Sequence, residues 1–447
     1  MRESKRTLAA PGVLRVHHLY CSPEDIMRIN SPVAVFVAAV VFSAVNAQTT
    51  QKTPQTDAEK MVRPRTVTPA LEQPAAPQTP SKSTAVPSTA AAAAEAPHKL
   101  TPGPIQHLTP SVIQARISEA KRMLRTRPVA TAMTTTPSIE FVTVAALDRE
   151  TSKTHFVTLS KEIFLKKGSE LNTVTSLGTN VNVKIIRANG VNTAVTIVTP
   201  EGKALAPLIV EFPIEKGGTF KELAYYTSAH PELLSRDLVR AGQSYVRNML
   251  DLAAKRLSEK GVAISPDLID IAERLCVVEH VDHGRFRDEN RIALYDEIYS
   301  LFALNELDTY RFAVSSAGAG GMVQMIPWAY NLQRTRYPGI GLMPDFVSAM
   351  RNHGNALQAM LLYMKDVWAD LEANDEVQYA LSAKLATKTE LMAAGYNSNA
   401  AKLPGYLKRG RDNWKNLIPR ETQMYLAIYK SFDSLVPLPS RASNVRR

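Results

Sequence analysis

The chain has 447 residues, room for two or more domains, with 53 Lys and Arg against 42 Asp and Glu for a net charge of +11. With only two cysteines, Cys21 and Cys276, it is no disulfide-stapled scaffold. The positive balance suits nucleic acid or an anionic cell-wall polymer, and the export signal read below favours the polymer over DNA.

Residues 1–47 read as a signal peptide. Val33–Val45 is a short apolar run, well under the roughly 20 residues that a membrane span needs. It ends in Val45-Asn46-Ala47, with small residues at −3 and −1 of a cleavage before Gln48. Arg28 supplies the positive flank if translation starts at Met27. An exported, periplasmic protein is expected, with an uncleaved membrane anchor as the alternative. Cleavage leaves Cys276 alone in an apolar helix, where an inert buried thiol is expected.

Residues 48–105 are dominated by Thr, Pro, Ala, Gln and Ser, and cannot bury enough apolar surface to offset their ordering entropy; a disordered tether is expected. Residues 106–136 form a helical lead-in, because Val112, Ile113, Ile117, Ala120 and Leu124 recur at helical spacing within Ser111–Thr126. Residues 137–215 turn to β texture, with β-branched runs separated by Lys167-Gly168, Asn189-Gly190 and Glu201-Gly202. A hairpin is expected around Ala188-Asn189-Gly190. The whole reads as a small all-β domain, a spacer or accessory binding module without a catalytic constellation. Residues 220–435 are mainly α, and 436–447 form a basic tail.

The chemistry concentrates in the helical part. In SPDLIDIAERLCVVEHVDHG, Ser265 is placed to cap, Pro266 to start and Gly284 to end a helix. Leu268, Ile271, Ala272, Leu275 and Glu279 then share one face. A carboxylate on so apolar a helix is costly, so desolvation raises its pKa and keeps it protonated, as a general acid requires. A buried ion pair with His283, near Asp282, is the competing reading. Downstream, Ser315–Pro327 (SSAGAGGMVQMIP) interleaves glycines with small residues, the mark of backbone passing close to a ligand. Tyr396-Asn397 and the pair Glu421/Tyr425 offer donors and rings suited to N-acetyl groups and pyranose faces.

These four segments, in this order, resemble the catalytic domain of soluble lytic transglycosylases, relatives of goose-type lysozyme. The resemblance spans about Phe220–Phe432 and rests on Glu279 in LCVVEHVDH, Ser315 through Gln324, AAGYN (Ala393–Asn397) and IPRETQMY (Ile418–Tyr425). It implies a mainly α, lysozyme-like domain behind the β domain and tether. It implies Glu279 as the single acid/base and Ser315, Gln324, Tyr396, Asn397, Glu421 and Tyr425 as substrate-cleft residues. The implied reaction cleaves the β-1,4 bond between N-acetylmuramic acid and N-acetylglucosamine and leaves a 1,6-anhydromuramoyl end. Hydrolysis by a true muramidase and a non-catalytic wall-binding scaffold are the alternatives.

Four departures stand out: His280 in place of a serine, Met322-Val323 in place of Leu-Met, Gly395 in place of Ala, and a longer stretch from Glu279 to Ser315. Arg285–Phe312 therefore reads as an insertion able to reshape one end of the cleft. No metal or cofactor is expected. Peptidoglycan strands are the expected partner, with cell-wall or secretion-machinery proteins as further candidates and no nucleic acid; the sequence leaves the oligomeric state open.

Overall fold

The computed structural model describes residues 104–127, 138–306 and 318–443. The expected signal peptide, nearly all of the tether, and Ser315 lie outside the described residues.

The lead-in forms α1 (Pro110–Thr126), where Thr109 accepts the Val112 N–H, Pro110 fixes the first turn, and Ile113, Ile117, Ala120 and Leu124 are buried along one face. Seven antiparallel strands follow: β1 (Phe141–Leu147), β2 (Thr154–Ser160), β3 (Glu170–Val174), β4 (Asn180–Arg187), β5 (Ala194–Val198), β6 (Ala204–Lys216) and β7 (Thr219–Tyr226). Their order is β2-β1-β6-β5-β4-β3, with β7 also paired to β6. The 13-residue β6 joins β5 through Ala204 and Leu205, then pairs with β1 over Ala206–Glu211 and with β7 over Val210–Lys216. The far ends nearly close the sheet: the Ser176 N–H donates to Phe156 O at 2.8 Å, and the Phe156 N–H donates to Ser176 Oγ at 2.9 Å. Near-closure covers edge groups that would otherwise stay unpaired. The short helix α2 (Lys161–Phe164) caps the interior, with the Phe164 ring 6.2 Å from Phe212. The expected β4–β5 hairpin forms, and Gly190 takes φ 55° in its turn.

One boundary moves. Thr219–Tyr226, read as the start of the helical part, is strand β7 and pairs with β6 from Val210↔Tyr226 to Lys216↔Thr219. Its turn is Gly217-Gly218, with φ 58° and 73°, which suits a tight hairpin.

The helical part comprises α3 (Arg236–Glu259), α4 (Pro266–Val278), α5 (His283–Asp288), α6 (Arg291–Leu304), α7 (Pro327–Arg336), α8 (Phe346–Arg351), α9 (His353–Glu372), α10 (Asp375–Ser382), α11 (Lys388–Asn397), α12 (Leu403–Gly410), α13 (Trp414–Leu417) and α14 (Arg420–Leu435). Helix α6 coincides with the stretch read as an insertion, yet it is no peripheral addition. Nine of its 14 residues, Leu294 through Leu304 apart from Asp296 and Glu297, are buried, the pattern of a largely buried helix. It packs so closely on α3 that a Cβ on Gly242 would lie 1.9 Å from Tyr299 O. Tyr295 and Tyr299 of α6 approach the Phe432 ring of α14 at 5.0 and 6.2 Å. The helix thus packs directly against α14, the helix that carries Tyr425.

The two parts share a core. Val142, Val183 and Val210 of the sheet belong to the same apolar cluster as Val246, Leu275 and Phe302 of the helices. Polar contacts reinforce the join: the Thr227 N–H donates to Asn305 Oδ1 at 2.9 Å, and Asn305 Nδ2 donates back to Thr227 O at 2.8 Å. Glu297 of α6 accepts from both Arg187 of β4 and Arg285 of α5. The basic C-terminal segment is also anchored up to Ser443. Arg441, 9 % exposed, pairs with Asp270 (2.8 Å), Asp251 (2.6 Å) and Glu273.

Candidate active site

Helix α4 delivers Glu279. Pro266 sits in its first turn, while Ser265 occupies the N-cap position without a side-chain capping bond. The helix ends at Val278, with Glu279 as C-cap still in right-handed geometry. Gly284 does not end it: Asp282 caps α5 by accepting the Arg285 N–H at 2.9 Å, so the chain breaks direction between Glu279 and Asp282. Asp282 is thereby committed to a helix start, and the ion pair weighed for Glu279 is replaced by a phenol. Tyr425 Oη donates to Glu279 Oε1 at 2.5 Å.

Glu279 is only partly exposed at the surface. It follows the fully buried Leu275, Cys276 and Val277 in a helix whose interior face is apolar throughout. Burial pushes its carboxyl up to about 8; the Tyr425 hydrogen bond favours the charged form and offsets part of that rise, and the charge of Glu421 adds to it. Glu421 stands in the first turn of α14, one turn before Tyr425 and on the same helix face, half-exposed. The phenols of buried Tyr425 and partly buried Tyr396 are held well above their ordinary range, chiefly by desolvation and then by the Glu279 charge, so both remain hydrogen-bond donors. Cys276 is buried and its thiol is pushed far upward, which leaves it an unreactive core group.

The glycine-rich segment folds as a tight turn against this helix end. Gly320 and Met325 form an isolated antiparallel bridge around it. Gly321 has φ 72°, and a Cβ there would lie 2.6 Å from Met350 O, so only glycine fits. Two side chains pin the turn: His280 Nε2 bonds Met322 O at 2.9 Å, and Tyr396 Oη donates to Val323 O at 2.6 Å. The His280 ring stands edge-on to Phe302 of α6, with centroids 5.9 Å apart. Gln324, half-exposed, takes φ 47°, a left-handed conformation that costs a non-glycine residue about 1 kcal/mol or more. Its Nε2 donates to Gly321 O at 2.9 Å. Asn397 closes α11 beside Tyr396, half-exposed, with its amide making no hydrogen bond among the described residues.

All four segments are tied by direct bonds, Glu279–Tyr425 on one side and His280–turn–Tyr396 on the other. Ser315, the remaining expected cleft residue, lies outside the described residues. His280, read from the sequence only as a departure, is the side chain that fastens the turn to the end of α4. A histidine directly after the candidate acid was the available signal, since its ring reaches further than a serine hydroxyl. Among the described residues no cluster of His, Cys, Asp and Glu is arranged to hold a metal ion. In comparisons with known proteins, no family model, no curated protein and no solved structure matches this chain.

What the arrangement can do is bounded by its charges. A carboxyl protonated at neutral pH, backed by a phenol donor and flanked by a second carboxylate, is equipped to give a proton and take one back.

Proposed function

We propose that the protein is a peptidoglycan lytic transglycosylase whose lysozyme-like helical domain acts through Glu279. The observation that carries this reading is the end of α4, where the Glu279 carboxyl, pushed up to about 8 by burial, accepts from Tyr425 at 2.5 Å while the adjoining His280 holds a strained, glycine-built turn. Glu279 donates its proton to the glycosidic oxygen between N-acetylmuramic acid and N-acetylglucosamine as the C1–O bond breaks. The acetamido group of the muramoyl residue stabilises the cation at C1. Glu279, now a carboxylate that accepts from Tyr425, takes the proton of the muramoyl 6-hydroxyl, and the 6-oxygen closes on C1 to give the 1,6-anhydro ring. Tyr425 eases this second half by favouring the charged carboxylate. Gln324, Tyr396 and Asn397 would line the groove, with Ser315 near the acid. The export signal, the tether and the positive charge of the chain suit a periplasmic enzyme acting on cell-wall strands.

The nearness of Glu421 favours one second reading, hydrolysis by a muramidase in which Glu421 activates water. Mass spectrometry of fragments released from purified sacculi separates the two. The transglycosylase yields muramoyl ends lighter by one water, and hydrolysis yields reducing ends of full mass. Fragments of the hydrolytic mass alone would overturn the first reading, and no fragments at all would overturn both.

A further inference from the structure

We infer that Trp328 is a stacking platform for a pyranose ring of the glycan strand, one or two sugar units from the bond that is cut. The inference rests on the glycan-cleaving reading above and deepens it. The chain has three tryptophans. Trp414 is fully buried and its Nε1 donates to Leu385 O at 3.0 Å. Trp368 is 9 % exposed and carries the Lys388 ammonium 4.3 Å above its ring. Trp328 is 54 % exposed and has no ring, cation or hydrogen-bond partner among the described residues.

A lone exposed apolar residue is ordinary on a protein surface, so position decides its meaning. Trp328 stands in the first turn of α7, four residues after Gln324, and a fully extended chain of that length spans no more than about 14 Å. The turn before it is fixed at both sides, by His280 on Met322 O and Tyr396 on Val323 O, and Pro327 fixes the backbone just ahead of the indole. The ring is therefore carried by a helix start that directly follows the turn fastened to His280, the residue after the candidate acid, and about half of it meets solvent. Sugars present axial C–H bonds on one face and hydroxyls at the rim, which matches an indole face bordered by polar groups. An indole at this point also offers a large contact area for few frozen torsions.

The test reads the ring directly, because Trp328 is the one tryptophan of the three open to solvent. Full-length protein is titrated with the β-1,4-linked tetramer of N-acetylglucosamine while tryptophan emission is followed, and affinity is measured by calorimetry. Expected are a saturable blue shift in the wild type, its loss in Trp328→Ala with affinity weakened about tenfold, substantial recovery of affinity in Trp328→Phe, and an undiminished shift in Glu279→Gln. Circular dichroism and melting temperature confirm that the variants fold. Saturable binding without an emission change, equal affinity in Trp328→Ala, or no binding of the tetramer at all would each overturn the platform. Fragment release from sacculi by the wild type, assayed in parallel, records whether the proposed activity itself stands.

Discussion

Tyr425 and Glu279, 146 residues apart in the chain, meet through a 2.5 Å hydrogen bond from the phenol to the carboxyl oxygen. The bond brings the last segment of the resemblance against the first. It also sets a balance, since burial favours the neutral acid and the phenol favours the carboxylate. Tyr425→Phe removes only the second influence. Glu279 should then titrate higher, the alkaline limb of the rate profile should move to higher pH, and kcat should fall roughly ten- to hundredfold through loss of a charge-assisted bond. Unchanged kcat with an unmoved limb would contradict this assignment of Tyr425.

The pH dependence has a definite sign. The folded-state value for Glu279, about 8, lies above its ordinary value of 4.5. The folded protein therefore binds an extra proton between these values, and the stability held below pH 4.5 is progressively lost as pH rises through 8. Activity that needs the acid should decline over the upper part of the same window. Glu279→Gln keeps a neutral side chain at every pH, so its unfolding free energy should exceed that of the wild type at pH 9. The gap should be on the order of 1–3 kcal/mol, reduced from the full shift because Glu279 is partly open to water. Denaturant melts at pH 5 and pH 9 check the difference; equal gaps at both would count against the shift.

Gln324 separates function from stability. Glycine adopts φ 47° without strain, so Gln324→Gly relieves the backbone while removing the amide bonded to Gly321 O. The relief and the lost bond nearly cancel, and the melting temperature should move by no more than a few degrees. Turnover of sacculi should fall by at least about tenfold if the amide meets the sugar. Retained turnover with unchanged stability would remove Gln324 from the cleft.

Arg441 is a structural prediction. It lies between Asp270 and Glu273, two carboxylates under 13 % exposed, and Arg247 is the other cation on Glu273. Arg441→Ala leaves buried negative charge poorly compensated and should cost about 3–5 kcal/mol. Since α4 carries both carboxylates and Glu279, activity should fall at temperatures where the wild type is still stable. Thermal unfolding checks this, and a shift under about 2 °C would show the contact to be superficial.

Much of this architecture was readable in the sequence where local signals are strong. The α1 spacing, the Asn-Gly hairpin and the apolar face of α4 follow from periodicity and turn chemistry. Strand β7 was hidden because Phe220, Leu223 and Tyr226 do not alternate cleanly, and only Gly217-Gly218 marks the turn. Helix α6 was recognised as a helix, but its burial between α3 and α14 depends on partners far away in sequence. The Arg441 contacts are likewise tertiary, and nothing in a basic tail distinguishes the one arginine that folds inward. At the site, residue order pointed to the segments, whereas the bonds from His280 and Tyr396 to the turn carbonyls are backbone contacts that no residue pattern encodes.

Digestion of purified sacculi by wild type and by folded Glu279→Gln, with released fragments resolved by mass, tests the central claim most directly. The account predicts anhydromuramoyl fragments from the wild type and none above background from the variant. Release of the same fragments by Glu279→Gln at a comparable rate would contradict it.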